Sequence, residues 1–151
     1  MQNPTSPRIG HDLVHVPRFR EVYERHAARF RARVFTAGEW KAVGRRSDHV
    51  AALAARFAAK EAAMKALGTG WGRGVTWRDV EVVGGGRRAP SLRLHGAAAL
   101  RAKREGLVLA VSMSHDGDYA SAVVIGWPIT AAKLKAGAWA KPGRPRRSAK
   151  R

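Results

Sequence analysis

The chain has 151 residues, with 29 Lys and Arg against 11 Asp and Glu, a formal net charge of +18. This length fits one globular domain, and the charge predicts an anionic partner or substrate: nucleic acid, a phosphorylated small molecule, an acidic protein or an anionic membrane surface. There is no cysteine, which excludes disulfides and thiol chemistry, and the lack of a signal peptide or long apolar stretch favours a cytoplasmic protein.

The first half of the chain predicts one strand and three helices. Residues 9–16 alternate like a strand, with Asp12 on the same face as Gly10 and Val14. Residues 18–33 follow with an apolar stripe at helical spacing, and residues 36–44 read as a short capped helix. The Ala-rich segment 50–67 is the strongest helix and closes at Gly68.

The second half of the chain predicts strands and one more helix. A glycine-rich loop at 68–74 precedes a strand at 75–83, a glycine turn at 84–86 and a short strand at 91–94. A helix at 96–104 and a nearly continuous apolar run at 107–113 follow, the latter typical of a strand buried on both faces. After a turn at 114–118 comes a last strand at 119–126. The expected fold is α+β, a small domain with a largely antiparallel sheet and a long central helix.

Residues 133–151 carry eight basic side chains and no acidic one, together with two prolines. Such a composition predicts a flexible basic tail. The domain boundaries that we predict are an N-terminal extension at 1–8, a globular domain at 9–127 and a tail at 128–151.

Two carboxylates stand in unusual places. Asp12 lies on an apolar strand face, where it needs either exposure or a cationic partner such as an arginine. Glu61 lies at the edge of the apolar stripe of the long helix, and its simplest interpretation is a surface ion pair with Lys65 at i+4. Taken together, two carboxylates from separate elements are suitable ligands for Mg²⁺.

Cations surround the same helix. Lys60 falls within its apolar stripe and Arg56 at the edge, and the simplest interpretation of both is that their stems lie on the core while their charges reach water. The alternative for Arg56 is that it neutralises phosphates together with Lys65 and the glycine-rich loop. His115 follows a predicted strand, where side chains often contact ligands, although a lone histidine is more often structural. Arg18, Arg25 and Arg29 share helical spacing and form either a docking face for an acidic partner or a solvated face.

Five blocks of sequence resemble holo-[acyl-carrier-protein] synthases, the short bacterial 4′-phosphopantetheinyl transferases, in the order of that family. They are residues 9–14 (IGHDLV), 33–36 (RVFT) with Glu39, 56–70 (RFAAKEAAMKALGTG), 77–82 (WRDVEV) and 111–115 (VSMSH) followed by Tyr119 and Ala120. The resemblance covers residues 9–126 and implies the transfer of 4′-phosphopantetheine from coenzyme A to a serine of apo-acyl carrier protein. Adenosine 3′,5′-bisphosphate is released, Mg²⁺ is required, and the product serves fatty acid biosynthesis.

The resemblance also implies roles for individual residues. Asp12 and Glu61 match the metal ligands of the family, and Lys65 matches its catalytic lysine near the phosphates. Further matches are the phosphate contacts Arg56 and His115, the walls of the coenzyme A cleft at Gly68, Gly70 and Pro90, and the carrier-protein docking arginine Arg18, with Arg25 and Arg29 added by helical phase.

Assembly and sequence departures complete the expectations. The family forms homotrimers with each cleft at a subunit interface. His11 and His15 replace usual residues of the first strand, and the turn before Pro90 lacks the usual lysine. The alternative function is a basic nucleic-acid-binding module without catalysis, although no aromatic pattern of that kind is present.

Overall fold

The structure is a computed structural model that describes residues 6–44, 46–70, 74–85 and 88–129. Within these ranges the fold is α+β, as predicted. The strands are β1 (Arg8–His15), β2 (Val80–Gly85), β3 (Arg88–Leu94), β4 (Leu107–Asp116) and β5 (Tyr119–Pro128). The helices are α1 (Val16–Arg25), α2 (Ala27–Val34), α3 (Ala37–Val43), α4 (His49–Leu67) and α5 (Gly96–Arg104), with a 3-10 turn at Trp77–Asp79. The predicted basic tail lies outside the described residues beyond Ile129.

The strands form two antiparallel sheets around the central helix. One sheet has the order β1-β5-β4, and the other is the hairpin β2-β3. Helix α4 lies against the inner face of the larger sheet, and nearly all of its side chains are buried, many of them alanines. Because alanine is small, the helix approaches its neighbours closely on several sides.

Gly10 allows β1 and α4 to meet at main-chain distance. A Cβ atom added at Gly10 would lie 1.8 Å from the carbonyl oxygen of Ala62, far inside van der Waals contact. The alternation predicted for β1 is confirmed: Gly10 is buried and Asp12 half-buried towards the helix, while Ile9 and Leu13 face outwards. This contact sets the spacing between the strand and the helix that carry the two candidate carboxylates.

An aromatic cluster fixes the N-terminal helices to α4. The rings of Phe19 and Phe30 lie 5.5 Å apart, centroid to centroid, and 5.7 and 6.2 Å from Phe57 on α4. A single straight helix over 18–33 would separate Phe19 and Phe30 by about 16 Å along its axis. The single helix that we predicted is therefore wrong: the chain leaves helical geometry at His26 (φ −132°) and turns both rings onto α4.

Two predicted strands also differ from the observed ones. Residues 76–79 form a turn closed by Thr76 and Asp79, so that β2 begins only at Val80. The expectation that 107–113 is buried on both faces is wrong within the chain described, because β4 is at the edge of its sheet and Ala110 is exposed. The strand also extends to Asp116, into the predicted turn.

The predicted helix signals are confirmed. Thr36 caps α3 in a reciprocal hydrogen-bonded box with Glu39, and Gly44 follows its last residue. Helix α4 ends at Gly68, whose φ of 68° is left-handed. None of the helices in the described ranges is long and apolar enough to cross a membrane.

Candidate active site

Asp12 and Lys65 form an ion pair between β1 and α4. The Nζ of Lys65 lies 2.8 Å from Oδ1 of Asp12 and 2.8 Å from the main-chain oxygen of His11. The Asp12 side chain is only 18% exposed. The cationic partner that its position demands is thus a lysine and not an arginine, and the surface pair between Glu61 and Lys65 that we considered is not formed.

Glu61 lies one turn before Lys65 on the same face of α4, half-buried. Burial raises the pKa of the Glu61 carboxyl, the negative charge of Asp12 raises it further, and Lys65 opposes both. Among the described residues, no side chain or main-chain group donates a hydrogen bond to this carboxylate. Two carboxylates that repel each other, one of them without a donor, are a suitable pair for a divalent cation.

Arg56 lies deep in the protein, five residues before Glu61. It is 3% exposed, and its Nη2 donates to the main-chain oxygen of Gly84 at 2.8 Å. Burial lowers the pKa of its guanidinium. Within the described part of the chain its buried Nε has no hydrogen-bond acceptor. The idea that Arg56 merely reaches out to water is therefore wrong.

A cleft of about 250 Å³ brings Arg56 and His115 together, although they are far apart in the sequence. His115 contributes the β4 wall, and Arg46 lies at the rim. Sequence reasoning missed Arg46, because it lies in a loop among other arginines without any spacing signal. Three basic side chains around one small cleft are suited to phosphate oxygens.

Asp48 is the acidic group beside this cleft, and sequence reasoning also missed it. Arg46 donates to it through Nε and Nη2, both at 2.7 Å, and Nε2 of His115 lies 3.4 Å from Oδ2. The hydrogen bonds from Arg46 hold the pKa of the Asp48 carboxyl below its ordinary value.

Lys60 is not at the surface of α4 but fully buried, so our first interpretation of it is wrong. Its Nζ donates to Oε2 of Glu39 at 2.9 Å and to the main-chain oxygens of Trp77 and Val80. Glu39 also accepts from the main-chain nitrogen of Val82 at 3.0 Å. This buried pair joins α3, α4 and β2, and a lysine within an apolar stripe is the signal that points to it.

The candidate cleft walls lie in two places. Pro90 is on β3, next to Ala89, whose carbonyl faces Gly84 and therefore the Arg56 side of the molecule. Gly68 and Gly70 follow the C-terminal end of α4, about 18 Å along the helix from Arg56. Within a single chain, the glycine loop is therefore far from the cleft of Arg56 and His115. Residues 71–73 of the predicted loop lie outside the described residues.

The three candidate docking arginines are exposed but do not share one helix. Arg18 lies in the first turn of α1, Arg25 is the last residue of α1, and Arg29 belongs to α2. The helical phase that grouped them assumed a continuous helix, and the break at His26 removes that argument for Arg25 and Arg29. His11, too, lies away from Asp12: its ring is on the outer face, 3.0 Å from the hydroxyl of Ser121.

Comparison with known proteins gives concordant matches. Residues 8–124 match the family model of the 4′-phosphopantetheinyl transferase superfamily. The holo-[acyl-carrier-protein] synthases of Gloeobacter violaceus and Halorhodospira halophila are each 50% identical, over 119 and 118 residues, which is 78% of this chain and 89% and 94% of theirs.

Solved structures are similar as well. The holo-[acyl-carrier-protein] synthase of Neisseria meningitidis superposes with a TM-score of 0.71 at 29% identity, covering 79% of this chain and 96% of that one. A complex of the Chronobacterium ammoniagenes enzyme with coenzyme A gives a TM-score of 0.71 at 32% identity, covering 83% and 99%.

Proposed function

The chain belongs to the holo-[acyl-carrier-protein] synthases of the 4′-phosphopantetheinyl transferase superfamily, and from this membership we propose its reaction. It transfers 4′-phosphopantetheine from coenzyme A to a serine of apo-acyl carrier protein, in fatty acid biosynthesis. The serine oxygen forms a new bond to phosphorus, the pyrophosphate bond breaks, and adenosine 3′,5′-bisphosphate leaves. The observation that carries this proposal is the placement of Asp12, Glu61 and Lys65 close together where β1 meets α4.

Asp12 and Glu61 would hold Mg²⁺. Their fit to this ion rests on two hard oxygen donors brought together from β1 and α4, and on the Glu61 carboxylate, which no described group satisfies. When bound, Mg²⁺ neutralises negative charge on the pyrophosphate. The chain's own part is to keep the two carboxylates at a fixed distance, which the close contact of Gly10 with Ala62 supports.

Lys65 stabilises charge on the phosphates in this proposal. Asp12 and the oxygen of His11 accept two hydrogen bonds from its ammonium group, which has three donors, so one donor is left for a phosphate oxygen. The proton of the serine hydroxyl leaves to water, because the ammonium group of Lys65 cannot accept it. Arg56 and His115 contact the nucleotide phosphates across their common cleft.

The complete cleft belongs to a homotrimer in this proposal. The outer face of β1 and β5 exposes several large apolar side chains, among them Ile9 at 67% and Leu13 at 57%, with Trp127 at 48%. An apolar sheet face of this kind is typical of a subunit interface. Assembly would bring Gly68, Gly70 and their loop from one subunit to Arg56, His115 and Pro90 of another.

The acidic carrier protein docks through Arg18, with the exposed Arg25 and Arg29 as further candidates on the N-terminal helices. Opposite charges speed the encounter and make it sensitive to salt. Since both substrates are cytoplasmic compounds, we assign the protein to the cytoplasm.

Mass spectrometry of an apo-acyl carrier protein tests the function directly. Incubated with the chain, coenzyme A and Mg²⁺, the carrier protein should gain the mass of one phosphopantetheine group. With Asp12→Asn it should gain none, because one of the two candidate metal ligands is neutral. No gain with any of several carrier proteins would overturn the proposal and leave a nucleic-acid-binding module as the alternative.

A further inference from the structure

Asp48 places a negative charge where the proposed function needs a phosphate. The cleft is lined by Arg46, Arg56 and His115, and Asp48 contacts the first and the last of these side chains. Its side chain is 35% exposed and close to those of Arg46 and His115, which are 40% and 32% exposed. None of these groups is sealed in the core, so a solute can reach them.

The contacts of Asp48 use the donors that a phosphate would need. Nε and Nη2 of Arg46 form a two-pronged contact with both carboxylate oxygens, which is also the way in which a guanidinium binds phosphate. Nε2 of His115 lies 3.4 Å from the same carboxylate. A carboxylate is thus bound as a phosphate would be, by two of the three basic side chains.

Asp48 binds Arg46 and His115 instead of capping the N-terminus of α4. It precedes the first residue of α4, where an aspartate normally accepts a hydrogen bond from the helix, yet its side chain caps nothing. The carboxylate is turned towards Arg46 and His115 instead. Helix formation therefore does not explain its position.

We propose that Asp48 is an internal anion that competes with the phosphate of coenzyme A for Arg46 and His115 and so weakens the binding of this substrate. The proposal rests on the proposed function, which brings a phosphate to this cleft. A partly exposed ion pair is weak, so a phosphate with its greater charge displaces Asp48. The like charge of Asp48 then remains next to the bound phosphate.

Calorimetric titration with coenzyme A tests the proposal. Asp48→Asn keeps the shape of the side chain but removes its charge. The dissociation constant of the complex between this variant and coenzyme A should be about three- to tenfold lower than that of the wild type. Glu21→Gln, which removes one negative charge from exposed α1, is the matched control and should leave the constant unchanged. An unchanged or higher constant for Asp48→Asn would overturn the proposal and make Asp48 a positioning residue for Arg46.

A second titration separates this proposal from the proposed function. Inorganic phosphate is added while the ring signals of His115 are followed by NMR, in the wild type and in Asp48→Asn. The variant should respond at several-fold lower phosphate concentration, even if the chain had no transferase activity. The same response in both proteins would contradict the competition. Failure of coenzyme A to bind the wild type, with the difference in phosphate response still present, would contradict the proposed function and leave the competition for phosphate standing.

Discussion

Glu61 is a single residue whose ionised side chain destabilises the fold when no metal ion is bound. Its carboxylate is half-buried near Asp12, and no described group donates a hydrogen bond to it. Since burial and the neighbouring charge both disfavour ionisation, the folded protein binds a proton here more tightly than the unfolded chain does. The sequence shows the acid and its spacing to Lys65, but not that Lys65 turns to Asp12.

Glu61→Gln should therefore stabilise the metal-free protein at neutral pH. The raised pKa of Glu61 means that the stabilising contribution of this residue is fully present below the ordinary value of 4.5 and is lost as the pH rises through the folded pKa. We expect the melting temperature of the variant to exceed that of the wild type at about pH 7, with a smaller difference at about pH 4. Calorimetry in a chelator measures both, and a difference independent of pH would contradict the account.

Lys60, in contrast to Glu61, is a buried charge whose hydrogen bonds and ion pair are all supplied by the fold. Lys60→Met should lose about 3–5 kcal/mol in free energy of unfolding, because the buried Glu39 then has no counter-charge. Lys65→Met, the same change at a half-exposed site of the same helix, should lose about 1 kcal/mol or less. Adding Glu39→Gln to Lys60→Met should recover part of the loss in a denaturant titration. Equal losses at the two lysines would contradict the assigned burial.

The elements differ in how far the sequence predicts them. Helices α3, α4 and α5 carry their own signals, such as the Thr36 cap and Gly68, and are found where expected. The break at His26 is not visible in the sequence, because it is set by the packing of Phe19 and Phe30 on Phe57. Likewise, the apolar run of β4 indicates a strand but not its place at a sheet edge.

The contact of β1 with α4 gives a prediction for Gly10. Gly10→Ala should force the two elements apart, because the new methyl group meets main-chain atoms of Ala62 that cannot rotate away. We expect a loss of about 1–3 kcal/mol in stability and loss of transferase activity. Gly126→Ala is the control, since the nearest atom to its methyl group is the end of the flexible Leu109 side chain at 3.0 Å, and the nearest main-chain oxygen, of Arg8, is at an ordinary 3.8 Å. Full activity in Gly10→Ala would contradict the role of this contact.

Helix α1 gives a prediction for carrier docking. Arg18→Glu should raise KM for the carrier protein about tenfold while changing KM for coenzyme A little, because it reverses a charge on the proposed docking face. Arg20→Glu makes the same charge reversal two residues later. Arg20 therefore lies on another side of the helix, where it is exposed near Glu24. This reversal should have a smaller effect. Steady-state kinetics at two salt concentrations checks this, and an equal effect on both substrates would contradict docking through Arg18.

At the scale of the whole molecule, the candidate residues of the coenzyme A cleft lie in two distant places. Arg56 and His115 share a cleft, but Gly68 and Gly70 lie at the other end of α4. Sequence motifs identify all four residues as candidates. They do not show that these residues lie far apart in a single chain, because a motif gives no distances in the folded structure. The domain limits of 9–127 and the role of the basic tail stay predictions.

Disrupting the apolar sheet face should dissociate the trimer that we propose. Leu13→Arg places a charge on this face, and sedimentation should then show a monomer. Transferase activity should also fall, because each cleft needs two subunits in the proposed assembly. Val22→Arg is the matched control, because Val22 is 42% exposed on α1, outside the sheet. It should sediment as the wild type does. A Leu13→Arg protein that keeps the wild-type mass would contradict this interface.

The main-chain contact at Gly10 also bears on the choice of ion. Asp12 lies two residues beyond Gly10, and Glu61 is next to Ala62, so the gap between the carboxylates follows from backbone atoms more than from side-chain torsions. A gap set in this way adapts poorly to ions of different radius. Mg²⁺ requires shorter and stricter oxygen distances than Ca²⁺ does. The missing Cβ of one glycine would thus help to decide which of the two ions the pair of carboxylates prefers.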